Sequence, residues 1–100
     1  MRVVYSERTV ADIAEIFDYI EQQDHVTARA AEADIRRACE GFSQFPHSNP
    51  KTSRPNFYRM PIKRRGFSVF YRVRSRLRVV EIARVVRSAR VRNLGRVPRR

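Results

Sequence analysis

The sequence predicts an α+β fold: an N-terminal strand and an antiparallel helical hairpin, then a three-stranded antiparallel β-sheet that the hairpin covers on one face. Three observations predict it. Val10, Ile13, Phe17 and Ile20 recur at spacings of three and four, the period of one helix face. Phe67, Val69, Tyr71 and Val73 alternate with Ser68, Phe70, Arg72 and Arg74, the period of a strand with one apolar and one mixed face. Between these regimes stand Pro46, Pro50 and Pro55, with His47, Ser48, Asn49, Thr52 and Ser53 among them, a segment that no helix survives. Neither half can bury its apolar face alone, so the breaker joins two halves of one core.

Residues 2–5 are a short β-prone run ended by Ser6, whose hydroxyl suits a helix N-cap. The first helix is expected over residues 9–23, with Asp12, Glu15, Asp18 and Glu21 on its outer face. After a polar connection at 22–26, Thr27 is a plausible N-cap for a second helix, in which Ala31, Ile35, Ala38, Phe42 and Phe45 keep the helical period. Two helices with so short a link form an antiparallel hairpin. Beyond Pro55 the expected strands are 57–62, 67–73 and 77–86, with turns at 63–66 and near Ser75. Residues 1–90 form one domain, and 91–100, rich in Arg and carrying Gly95 and Pro98, are expected to be a flexible basic tail.

One hundred residues, 42% of them apolar, suffice for one core that buries about 60 to 65% of the unfolded surface without staples. Cys39 is the only cysteine, which leaves no intrachain disulfide and fits a reducing compartment. Met1 to Glu7 is too short and polar for a signal peptide, and no apolar run reaches the ~20 residues of a membrane span. The expected location is the cytoplasm.

Charge is the most asymmetric property of the chain. Residues 1–50 hold 5 Lys/Arg against 9 Asp/Glu, a net of −4; residues 51–100 hold 17 against 1, a net of +16. A core does not need such a division, because formal charge governs partners and association more than fold. It points to an anionic partner, either nucleic acid or an acidic protein.

The residues that carry chemistry elsewhere have plain readings here. His25 and His47 fall in expected loops with no partner at metal-ligand spacing. Cys39 sits beside the core stripe as a small hydrophobe. Tyr58 and Tyr71 alternate with apolar residues and read as packing. Glu81, the one carboxylate of the second half, suits an ion pair with Arg72 or Arg78. No Ser/His/Asp set, Gly-rich phosphate loop or Cys-x-x-Cys is present, and no cofactor, metal or small-molecule substrate is expected.

The order of elements, and residues in register with it, resemble the RelE/ParE superfamily of type II toxins over residues 3–90. The resemblance is carried by Ala11-Asp12-Ile13, Ile16 and Tyr19-Ile20 in the first helix and by Pro46 after the second. It continues through Tyr58-Arg59-Met60-Pro61-Ile62, Phe67-Ser68-Val69-Phe70-Tyr71-Arg72-Val73 and Ile82-Ala83-Arg84-Val85-Val86-Arg87-Ser88-Ala89-Arg90. A Tyr late in the middle strand and an Arg-Val pair shortly before a final Arg look most like the ParE branch. Chains of that branch often carry His-Gly where this one has Arg87-Ser88, and an acidic residue where it has Val91.

The resemblance implies one of two activities and a cognate acidic antitoxin. ParE-like toxins bind DNA gyrase; RelE-like toxins cut mRNA on the ribosome. Cleavage by a 2′-OH requires a base, a proton for the leaving oxygen and cations at the phosphorane. Arg59 matches one basic position of the nucleases, but Ser68 stands where they commonly carry Arg, and no Tyr or His follows Arg90. A hydroxyl in place of that guanidinium forfeits about 3 kcal/mol of transition-state stabilisation, by analogy with oxyanion donors. A gyrase-binding toxin without catalytic residues is therefore expected, with the mRNA interferase as the alternative. A third reading is a plain nucleic-acid-binding module, for which the aromatic content of the mixed face, chiefly Phe70, is thin. The resemblance places the target surface at Arg59, Arg84, Arg87 and Arg90, around the end of the last strand. Arg54, Arg72 and Phe70 are expected to meet the antitoxin.

Overall fold

The computed structural model describes residues 1–47, 49 and 51–88. Strand β1, Arg2–Tyr5, leads into helix α1, Glu7–Glu21, and helix α2, His25–Glu40, which ends in a 3-10 turn at Gly41–Ser43. Strands β2 (Phe57–Ile62), β3 (Phe67–Arg74) and β4 (Val79–Arg87) follow, with a second 3-10 turn at Ser75–Leu77. The sheet order is β1-β4-β3-β2. As expected, β2, β3 and β4 pair antiparallel and the helices lie on one face. The first strand extends this sheet as a fourth member, parallel to β4 from Arg2↔Val79 to Tyr5↔Ile82. Two helices and two strands separate β1 from β4 along the chain, ample for the crossover a parallel pair requires.

Local chemistry explains the helix starts. The Ser6 hydroxyl accepts from the Thr9 N–H at 3.0 Å and caps α1. Asp24 caps α2 by accepting from Val26 N–H at 3.2 Å, so the helix begins before Thr27, and His25 is its first residue and not part of a loop. At the other end α2 stops at Glu40, and Phe45, expected on the core stripe, is 65% exposed.

The inner face of α1 also differs from the expected stripe. Val10 is 55% exposed and Asp12 is 4% exposed; Thr9 and Ile13 are buried, with Ile16 and Ile20 packed on the core. The cause is the sheet beneath. Beyond Ile82, β4 has no β1 beside it, and the first turns of α1 lie across that open edge. Thr9 Oγ1 donates to the Ile82 carbonyl at 2.8 Å, Ser6 Oγ to the Ala83 carbonyl at 3.2 Å, and the Val85 N–H donates to Asp12 Oδ2 at 3.0 Å. Polar side chains take the place of the missing strand, because unpaired buried backbone groups are costly.

Ile13 and Ile35 from the helices meet Val69, Tyr71, Val73, Val80, Ile82 and Val85 from the sheet in one core. Tyr71 stacks on Phe42 and on Tyr58, with ring centroids 3.9 and 5.3 Å apart. Its hydroxyl donates to the Pro46 carbonyl at 3.0 Å and accepts from Asn49 Nδ2 at 3.1 Å, so one buried phenol ties the breaker segment to the sheet. Burial raises its pKa. Burial likewise pushes the Cys39 thiol up to about 12, which makes it an inert packing group. No helix among the described residues is long and apolar enough to cross a membrane.

Candidate functional site

Alternation along β2, β3 and β4 leaves one sheet face without a helix, and Arg54, Arg59, Arg72 and Arg74 gather on it. Its centre is a small apolar cluster of Phe57, Phe70 and Val86, each under 7% exposed, with Ala83 against it. Phe57 and Phe70 stack with centroids 5.9 Å apart and planes 11° apart. The guanidinium groups of Arg54 and Arg72 lie over the Phe57 ring, at 5.5 and 5.9 Å from its centroid. Arg72 and Arg74 share Glu81, at 3.5 and 3.3 Å; Arg72 was expected there, while Arg74 takes the place expected of Arg78. The residues expected at the antitoxin, Arg54, Arg72 and Phe70, thus form one patch around Phe57, which no motif or spacing in the sequence singles out. Its place in a strand was legible; its guanidinium roof depends on the turn that brings Arg54 back over the strand. Because both rings are buried, this face presents cations and not the aromatic platform that base stacking needs.

At the far end of the same face, Arg59 Nε donates to Ser68 Oγ at 3.2 Å, and Ser68 Oγ lies 3.2 Å from Ser88 Oγ. Ser68 is fully buried. The position that would need a second guanidinium for phosphoryl chemistry therefore holds a hydroxyl already engaged with its neighbours.

The expected target residues divide between two sides of the sheet. Arg59 and Arg84 both lie in register with Phe70, but a bulge at Ala83, opposite the Phe70/Tyr71 step, shifts the alternation of β4. Arg84 turns over the open edge and holds Asp12 with two bonds, Nε–Oδ2 at 2.8 Å and Nη2–Oδ1 at 3.2 Å. Arg8 lies 3.4 Å from the same carboxylate. Arg87 continues on the helix side, with its guanidinium 4.1 Å above the centre of the Tyr19 ring. Hydrogen bonding and charge from Arg87 hold the Tyr19 phenol below its ordinary value. Arg90 and the tail at 91–100 lie outside the described residues.

Arg84, Arg87 and Tyr19 line a groove of about 440 Å³ between α1 and the end of β4, floored by Ile16, Phe67 and Val85. Tyr19 is half-exposed, and nothing in its helical spacing pointed to a partner on the last strand. On α2, Asp34 joins Arg37 and Arg65, each at 2.8 Å; these two guanidinium groups lower its pKa, Arg65 first. Among the described residues no group of three or more His, Cys, Asp and Glu side chains is placed to hold a metal. His25 instead meets Glu21 at 2.8 Å, and His47 abuts the Tyr58 ring.

Residues 3–92 match a family model described as the ParE toxin of the type II toxin-antitoxin system, parDE. Among solved structures, the chain is similar to one from the chromosomal ParDE toxin-antitoxin system of P. aeruginosa, with 22% identity and a TM-score of 0.74 over 87% of this chain and 95% of that one. It is also similar to a chain of the intact E. coli RelBE toxin-antitoxin complex, with 14% identity and a TM-score of 0.67 over 86% and 94%. The isolated E. coli RelE toxin matches at 13% identity and a TM-score of 0.67 over 96% and 97%. At these identities the likeness is one of fold. No curated protein sequence matches the chain.

Proposed function

The chain belongs to the ParE toxin family of type II toxin-antitoxin systems, and from that premise we propose that it acts by binding DNA gyrase stoichiometrically and is neutralised by an acidic antitoxin. The observation that carries the choice of binding over turnover is the Arg59–Ser68–Ser88 chain. A phosphorane needs cations aimed at it, and beside Arg59 lies a buried hydroxyl. The Ser68 position thus supplies a hydroxyl and no cation for phosphate stabilisation beside Arg59.

The target surface in this reading is the end of β4 with Arg59, Arg84, Arg87 and Arg90. Arg87 is its most available member among the described residues; Arg84 contributes by positioning, since its guanidinium is bound to Asp12. The antitoxin's acidic segment meets Arg54 and Arg72 around the Phe57–Phe70 pair. That both solved complexes named above are toxin-antitoxin pairs supports such a partner.

Expression without a partner tests the reading. Induced cells should filament and mount a DNA-damage response while translation continues, and the purified protein should inhibit gyrase in proportion to its concentration. Rapid codon-dependent mRNA cleavage with DNA synthesis initially unaffected would instead establish the interferase alternative.

A further inference from the structure

The groove between α1 and β4 has an apolar floor and, among the described residues, one cation that no carboxylate neutralises. Arg84 is committed to Asp12. Arg87 forms no ion pair with any described residue, although Glu15 lines the same groove. Held against the Tyr19 ring, 4.1 Å from its centre, and hydrogen-bonded to the phenol, its guanidinium still has N–H donors beyond that bond to offer a carboxylate. The ring also limits the side-chain freedom that an exposed Arg would otherwise lose on binding.

We propose that this groove receives a segment of a partner protein that presents a carboxylate beside an apolar side chain, the carboxylate meeting Arg87 and the apolar group resting on Ile16, Phe67 and Val85. The inference deepens the reading of Arg87 as part of the target surface and rests on it. A nucleic-acid backbone fits poorly, because its repeated charges would face Asp12 and Glu15 as well as Arg87. The chain's own residues 89–100 contain no Asp or Glu and carry the wrong charge for the role. A groove of this volume lies within the range of about 300–1,000 Å³ in which ligand sites are found.

The test is a titration of the isotopically labelled full chain with a blocked peptide alternating Leu and Glu, against a control peptide with every Glu replaced by Gln. The Glu peptide should shift the Ile16 and Val85 methyl resonances and bind about tenfold more tightly than the Gln peptide, as one charge-assisted pair implies. Arg87→Gln should remove that difference. Arg76→Gln, an equal change of charge in the turn before β4, should leave it. Equal binding of both peptides, equal damage from the two substitutions, or a dimer that Arg87→Gln dissociates in sedimentation would each overturn the proposal. Growth arrest is not part of the readout, so a different cellular target would leave this result intact, and failure here would leave the toxin reading standing.

Discussion

Asp12 is the residue on which the end of β4 depends. It accepts from the Arg84 side chain twice and from the Val85 backbone once, while it is 4% exposed. Removing one member of a buried ion pair leaves the other charge unmatched, at a cost of about 3 kcal/mol. Asp12→Ala should therefore unfold at markedly lower denaturant concentration with an unchanged m value, and more so than Arg84→Gln, because it also leaves the buried Val85 N–H without an acceptor, whereas loss of Arg84 leaves Asp12 two donors. Equal midpoints for Asp12→Ala and the parent would show that the Asp12 contacts to β4 are dispensable. Tyr19 supplies a second measurement at this scale. Arg87 lowers its phenol, whereas burial raises Tyr5 and Tyr71, so Tyr19 should ionise ahead of those two in an absorbance titration. Arg87→Gln should move it back toward the ordinary value. The linked stability has a definite sign: a depressed folded pKa stabilises the fold above the unfolded value near 10 and the effect vanishes as pH falls through the folded value. At neutral pH the phenol is protonated in both states, so this linkage contributes nothing there.

Among the elements, the β2–β3 turn isolates a backbone effect. Gly66 adopts φ +74, its N–H donates to Ile62, and its carbonyl accepts from the Ser88 N–H at 2.8 Å. A Cβ there would meet nothing within 4 Å, so Gly66→Ala tests conformation without a clash. It should cost about 1 kcal/mol, read as a lowered denaturation midpoint; no change would show that the turn relaxes freely. This turn was legible in the sequence, as were both helices, the three antiparallel strands, the Ser6 cap and the Glu81 pairing, because each depends on neighbours in sequence or on simple alternation. What escaped depends on the meeting of distant elements. The parallel seat of β1, the burial of Asp12 and the exposure of Val10 all follow from how far β4 runs past β1. The bulge at Ala83 leaves no periodic mark, and it divides the expected arginine cluster between two sides of the sheet.

At the scale of the whole molecule, the charge division of the sequence becomes a spatial one. The acidic residues of the first half decorate the hairpin, where Asp18, Glu21, Glu32 and Asp34 sit, while the sheet carries Arg54, Arg59, Arg72 and Arg74 against the single carboxylate Glu81. Such a dipolar molecule orients an acidic partner toward its sheet before contact. Steering of this kind acts on the encounter, because exposed charges are screened beyond about 8 Å at physiological ionic strength. Once the partner is seated, apolar burial holds it, and salt has little effect on that burial. The association rate with the antitoxin should therefore fall steeply between low and physiological salt while the dissociation rate stays nearly constant. Replacing Arg54 and Arg72 with Gln should flatten that slope without a matching rise in dissociation. An association rate indifferent to salt would mean that the +16 half serves something other than capture of an acidic chain.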